Sequence, residues 1–325
     1  MQQQTKQKQS TKKQVKQLPT KQPQKQLTKR QHPTEQQVDI WLKQAKVHFV
    51  NKRFQKALEL FTKVVDSKQK LFEAHIQRGA TYGNLRKYKS AIADYEKALA
   101  INPKAYIAYN EIAVINIVQK QHVAALKNCN IALQYNAKYV NAYYNRAIAF
   151  HQLKNYVQAV RDASYVIKAQ PQNGKAYFIR GSALTEQKQY TKAIKDLNHA
   201  IQLGFISAEL CKQLSLSYFF TREYQKALQV CNKGLQMDSI HVEIYNIRAR
   251  TFAHMGQQQQ ALRDCNKAIS LQPNLAKSYI SRGFVYSYMQ RLENALADFE
   301  KAVILGAKAK SIKQKIQQLR NTINK

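Results

Sequence analysis

Alanine recurs every 34 residues along this chain, at Ala57, Ala91, Ala125, Ala159, Ala193, Ala227, Ala261 and Ala295, with no insertion. A strict period of this size argues against one enzyme-like core. It predicts an array of small units, each burying its apolar face against the next. With unit one starting at Val38 and unit eight at Ala276, the alanine falls at place 20 of each unit. Place 8 is small throughout: Ala45, Gly79, Ala113, Ala147, Gly181, Ser215, Ala249 and Gly283. Two helices approach closely only where side chains are small, so places 8 and 20 predict the crossing of a helical hairpin.

Large residues take the other core places. Place 4 holds Trp41, His75, Tyr109, Tyr143, Tyr177, Cys211, Tyr245 and Tyr279, and place 17 holds Phe54, Tyr88, Tyr156, Tyr190 and Tyr224. Spacings of 4, 8, 11 and of 20, 24, 27 are helical faces. Pro103, Pro171 and Pro273 share place 32, where a helix should stop. This pattern resembles the tetratricopeptide repeat family across residues 38–309. Unit two carries it well, with Gly79, Tyr82, Tyr88, Ala91, Tyr95, Ala98 and Pro103. The resemblance implies an all-α, right-handed superhelical solenoid of eight helix-turn-helix repeats: 38–71, 72–105, 106–139, 140–173, 174–207, 208–241, 242–275 and 276–309. Departures at His122, Gln258 and Gly234 predict looser packing in units three, seven and six. Beyond the last unit, Ile312, Ile316, Leu319 and Ile323 form one apolar stripe, which predicts a capping helix over 310–325.

Residues 1–37 are mostly Gln, Lys and Thr, with too little apolar area to order themselves. They read as a disordered basic tail with nine Lys or Arg against one acid. The whole chain carries 53 Lys or Arg against 19 Asp or Glu, a formal charge of +34. No secretory signal or membrane span is expected. A mitochondrial address stays open but ranks low, because the tail has a single Arg and no amphipathic stripe. The four cysteines occupy core places, as small buried hydrophobes in a reducing, intracellular compartment. No glycine-rich phosphate loop, nucleophile elbow or metal-ligand spacing occurs, so neither a cofactor nor catalysis is expected.

Because the units align with one another, pairs can be read within a single chain. Place 7 is arginine in five units (Arg78, Arg146, Arg180, Arg248, Arg282), and place 23 is aspartate in the same five (Asp94, Asp162, Asp196, Asp264, Asp298). The other three units lack both. The coincidence predicts an ion pair joining the two helices of each hairpin, a structural pair rather than a ligand site.

The resemblance places residues 2, 5, 9, 12 and 13 of each unit on the concave face. Here that groove is apolar: Ile76, Val114, Ile117, Val118, Tyr144, Ile148 and Phe178 form one run, and Phe219, Phe220, Ile280, Phe284 and Tyr288 another. Such a surface suits an amphipathic helix or an extended peptide. Packing against the chain's own tail is the competing expectation. Co-chaperones of the family grip the C-terminal carboxylate of heat-shock chaperones with Lys and Asn at fixed places. The best window here, Asn110, Val114, Asn145, Lys175 and Ile179, matches at two of five, so that class is disfavoured. Places 22 and 26 should point outward and form a basic ridge of Lys63, Lys97, Lys127, Arg161, Lys195, Lys233, Arg263, Lys267 and Lys301. A regular positive series suits an acidic polymeric partner. The sequence therefore predicts a non-enzymatic scaffold for protein partners, in a cytoplasmic, cytoskeletal or ciliary setting. The alternative is an RNA- or ribosome-associated factor making nonspecific phosphate contacts.

Overall fold

The computed structural model describes residues 32–308 and 310–324. The tail expected over 1–37 therefore lies, up to residue 31, outside the described residues. The hairpins follow in order: α1 Glu35–Val50 with α2 Phe54–Asp66; α3 Leu71–Asn84 with α4 Tyr88–Ile101; α5 Tyr106–Val118 with α6 His122–Tyr135; α7 Val140–Gln152 with α8 Tyr156–Ala169. The second half repeats the scheme: α9 Gly174–Glu186 with α10 Tyr190–Gln202; α11 Ala208–Phe220 with α12 Tyr224–Met237; α13 Val242–His254 with α14 Gln258–Leu271; α15 Ala276–Tyr288 with α16 Leu292–Ile304. Helix α17, Lys310–Ile323, closes the stack, and no strand occurs among the described residues. The first helix starts three residues inside the segment read as tail. Thr34 caps it, its hydroxyl accepting from the Gln37 amide at 3.2 Å, and Glu35 places an acid at the positive helix end.

All eight place-20 alanines are fully buried. Place 8 faces place 24 across each crossing, and the two trade volume. A Cβ on Gly79 would stand 2.8 Å from Tyr95, one on Gly181 2.8 Å from Leu197, and one on Gly283 2.9 Å from Phe299. Where place 8 is alanine or serine, place 24 shrinks to Cys129, Ala163, Cys231 or Cys265, with Ala45 and Phe61 of unit one as the exception. The cysteines are thus volume fillers. All four are buried and free, and burial pushes Cys129, Cys231 and Cys265 up to about 12. The looser packing expected for unit six is wrong. A Cβ on Gly234 would lie 2.7 Å from Ile244 and 2.9 Å from Cys211, so glycine there admits neighbours that close the gap.

Each A helix ends the same way. Place 15 has positive φ in all eight units, at Lys52, Arg86, Lys120, Lys154, Lys188, Arg222, Gly256 and Gln290. The following amide reaches back five residues, as from Lys87 to the Tyr82 carbonyl at 2.9 Å and from Asn155 to Phe150 at 2.8 Å. This left-handed cap turns the chain sharply into helix B. Seven units accept a non-glycine residue in that conformation to make the turn. The apolar stripe of α17 covers the last hairpin, with Ile312 and Leu319 buried against the Phe299 cluster, and Arg320 donates to Glu300 at 2.7 Å.

In each of the five matched units the arginine meets the aspartate in a fork: Nε donates to Oδ2 and Nη2 to Oδ1, at 2.6–2.9 Å. The aspartates keep 3–10% of their side-chain exposure and the arginines 11–24%. A third arm was not foreseen. Nη1 of Arg146, Arg180, Arg248 and Arg282 reaches the preceding unit, bonding Asn130, Ser164, Asn232 and Asn266. Each of those is place 25, so the arginine joins three helices. Aromatic rings at places 4 and 11 flank it, as Tyr245 and Phe252 flank Arg248 at 5.5 and 5.9 Å.

Two stability predictions follow from this packing. Arg248→Leu strands a buried carboxylate and should destabilise by about 3 kcal/mol in urea titrations, with Asp264→Val recovering part of the loss in the double variant. Additive losses would contradict the pairing. Gly234→Ala should cost about 1–3 kcal/mol through overpacking. Gly83→Ala, whose new Cβ meets nothing within 4 Å, should stabilise by about 0.5–1 kcal/mol.

Candidate functional site

The inner face is built by consecutive A helices, with α5 on α7, α7 on α9, α9 on α11, α11 on α13 and α13 on α15. Polar side chains stitch them where they touch. Asn145 Nδ2 donates to Asn110 Oδ1 at 2.8 Å, Thr185 meets Ser217 at 2.9 Å, and Asn246 donates to Ser278 at 3.0 Å, all buried. Asn110 and Asn145, two residues of the clamp window, are therefore spent on each other. Asn110 also donates to Glu111 at 3.1 Å.

Of the twelve groove residues, Val118, Phe220, Phe284 and Tyr288 stand exposed. Ile76, Val114, Ile117, Tyr144, Ile148, Phe178 and Ile280 are half-buried. Several of these lean into hairpin cores: Ile76 into the Tyr95 cluster, Phe178 onto Phe205 and Ile280 into the Phe299 cluster. Phe219 is a correction, since it keeps 6% of its exposure and is no contact surface. Phe220, Tyr224 and His254 enclose its ring at 5.2–5.8 Å, because place 12 of unit six faces the following A helix rather than the open groove.

Two cavities open on this face. One, of about 270 Å³, is lined by Phe49, Tyr88, Glu111, Val114 and Val118 among others. Burial pushes the Glu111 carboxyl up against the opposing pull of its Asn110 bond. The other, of about 130 Å³, lies in units seven and eight beside Arg250, His254, Phe284 and Tyr288. Neither Glu111 nor Arg250 figured among the sequence-derived site residues. Arg250 carried a signal, being the one arginine at place 9, but the surrounding aromatics drew attention to apolar contacts alone.

At the rim, His241 lies 3.7 Å from Glu209 and 3.3 Å from Glu243, within ion-pair range. These carboxylates raise His241 to about 9, and His241 lowers Glu243 to about 2. The histidine's contribution to stability is complete below its ordinary 6.5 and is lost as pH rises through about 9. That of Glu243 is present above its ordinary 4.5 and is lost as pH falls through about 2. Thermal stability should therefore decline between pH 6.5 and 9, and His241→Gln should flatten that decline in melting curves. An unchanged slope in the variant would refute the assignment.

All nine ridge bases are exposed on the B helices. Beside Arg161 a shallow depression of about 630 Å³ is lined by Tyr143, Tyr165 and Lys168 among others. Among the described residues no group of three or more His, Cys, Asp or Glu could hold a metal, and no helix is long and apolar enough to cross a membrane.

Models of the tetratricopeptide repeat match residues 72–105, 144–204, 242–275 and 276–303. The chain is a tetratricopeptide repeat protein. Among solved structures, a tetratricopeptide repeat protein from Parabacteroides merdae is 20% identical, with a TM-score of 0.56, over 77% of this chain and 99% of that one. The APC/C hetero-tetramer Cut9–Hcn1 is similar at 13% identity and a TM-score of 0.63, over 86% of this chain and 55% of that one. Pseudomonas aeruginosa pilF is similar at 17% identity and a TM-score of 0.56, over 64% and 95%. These likenesses show the fold. No curated protein matches the sequence. Tetratricopeptide repeat proteins are generally protein-interaction scaffolds, and their fold is typically non-enzymatic.

Proposed function

We propose that this chain is a bridging scaffold that holds an apolar peptide or helix on its inner face and meets an acidic assembly with its basic outer ridge. The observation that carries the reading is the set of exposed apolar side chains on the A helices, Val118 on α5, Phe220 on α11, and Phe284 and Tyr288 on α15, beside two cavities. Exposed apolar surface of this kind marks a place for a partner. The outer ridge adds a second, electrostatic surface, with at least one base per unit and a formal charge of +34 behind it. A cytoskeletal or ciliary assembly is one setting that offers such acidity.

A second reading, an RNA-associated factor, draws support from the depression where Tyr143 and Tyr165 rings lie 4.0 Å apart beside Arg161 and Lys168. Aromatic faces beside bases can take nucleotides. Affinity purification before and after nuclease separates the two. The scaffold reading expects protein partners that survive nuclease and are lost from a Phe220→Ser/Tyr288→Ser double variant. Partners that all vanish with nuclease, and persist in the double variant, would contradict it.

A further inference from the structure

The arginines of this chain divide sharply. Five at place 7 lie in forked pairs with aspartate. Arg250, on α13, is half-buried without such a pair. Its guanidinium centre lies 4.4 Å from the Phe219 ring centroid and 5.7 Å from that of Phe220. Among the described residues no carboxylate lies within ion-pair distance of it. Burial pulls the pKa of its guanidinium down. A half-buried charge without a counter-ion is unfavourable. Cation–π contact offsets part of that, but it engages the faces of the guanidinium and leaves N–H donors on its edge free.

The surroundings sharpen the demand. His254 and Lys277 sit close enough to feel the Arg250 charge, and Arg222 acts on the same His254. Glu243 and Glu186 act on Lys277 in the opposite sense, but neither acts on Arg250 or His254. Beside Arg250 opens the cavity of about 130 Å³, floored by Val285 and walled by Phe284 and Tyr288. An apolar cavity of about 150 Å³ holds one benzene, so this one suits a single leucine- or phenyl-sized side chain.

We propose that Arg250 anchors an Asp or Glu side chain of a bound peptide, whose neighbouring large apolar side chain enters the cavity beside it. This rests on the reading of the inner face as a peptide groove and adds the chemistry of the peptide. Residues 1–34 contain no Asp or Glu, so the segment ahead of the first helix has no carboxylate side chain to offer. A second copy carries the same +34 and is repelled. A nucleic acid could offer a phosphate to Arg250, but its bases carry polar edges that the mainly apolar lining of Phe284, Val285 and Tyr288 would leave unpaired. An acidic, apolar peptide meets all three conditions. Its carboxylate would take the fork geometry that the place-7 arginines already show with aspartate.

The test is selection of a random 16-residue phage-displayed peptide library on the full-length protein. Expected are enriched peptides with Asp or Glu within three positions of Leu or Phe. In fluorescence anisotropy the best of them should weaken at least tenfold when its acid is changed to Gln, or when Arg250→Gln is introduced. The two changes together should weaken binding no further. Enriched peptides lacking an acid, or losses that multiply, would overturn the anchor while leaving the groove. Selection of no peptide would overturn both. A single-stranded RNA 12-mer that displaces the peptide through Arg250, or a dimer dissociated by Arg250→Glu, would overturn it in favour of phosphate or a second copy. Should Arg250→Gln fail to fold, the peptide's acid-to-Gln change on the wild-type chain and on Arg250→Lys decides. Equal affinity for the acidic and the Gln peptide on both proteins would overturn the anchor.

Discussion

The close crossing of two helices in each hairpin, made possible by a buried alanine at place 20 and a small residue at place 8, sets the other distances in this molecule. The contact leaves little room: glycine stands at place 8 where place 24 is Tyr95, Leu197 or Phe299, and alanine or serine where place 24 is cysteine or alanine, with Ala45 against Phe61 in unit one the exception. A core packed this densely transmits one hairpin's geometry to the next. Four of the five forked arginines then tie neighbouring units together, since Arg146, Arg180, Arg248 and Arg282 reach their own helix B through aspartate and the preceding helix B through Asn or Ser at place 25.

Much of this architecture was legible because eight units provide an internal comparison. Residues that recur at fixed places announce their role, and the joint presence or absence of Arg and Asp within units marks a contact across helices. Contacts between neighbouring units were harder to read. The third arm of Arg146 ends on Asn130, one unit back, and becomes visible only when place 25 is compared with the next unit's place 7. The start of α1 was missed because Thr34 and Glu35 act through capping, a local signal outside the 34-residue pattern. Gly234 was misjudged for a different reason. A small residue was taken as a lack of packing, whereas Ile244 and Cys211 close over it.

The candidate site was less legible than the fold. Family resemblance identifies which places face the groove, but not how far a side chain leans from it. Phe219 and Phe220 are adjacent in sequence, yet one is buried among rings and the other stands exposed at 45%. The difference arises from the approach of α13, whose Arg250 and His254 fill the space over Phe219. Likewise, the place of Arg250 in its unit sets it apart from the paired arginines, but that no carboxylate reaches it and that Phe219 and Phe220 cover it is visible only in three dimensions. The basic ridge needs no such detail, since exposed helix positions follow directly from the period.

In the proposed reading the two surfaces divide the work physically: an apolar inner face with a few fixed charges would give selectivity, and a basic exterior would give long-range attraction. The central claim is that the inner face is open to a separate protein. Replacing Phe220 with a photo-crosslinking benzoylphenylalanine in the full-length chain, irradiating in cells and identifying the adducts by mass spectrometry tests it most directly. The account predicts adducts to another polypeptide carrying an acidic, apolar segment. Adducts only to residues 1–31 of the same chain would contradict it and show a groove occupied from within.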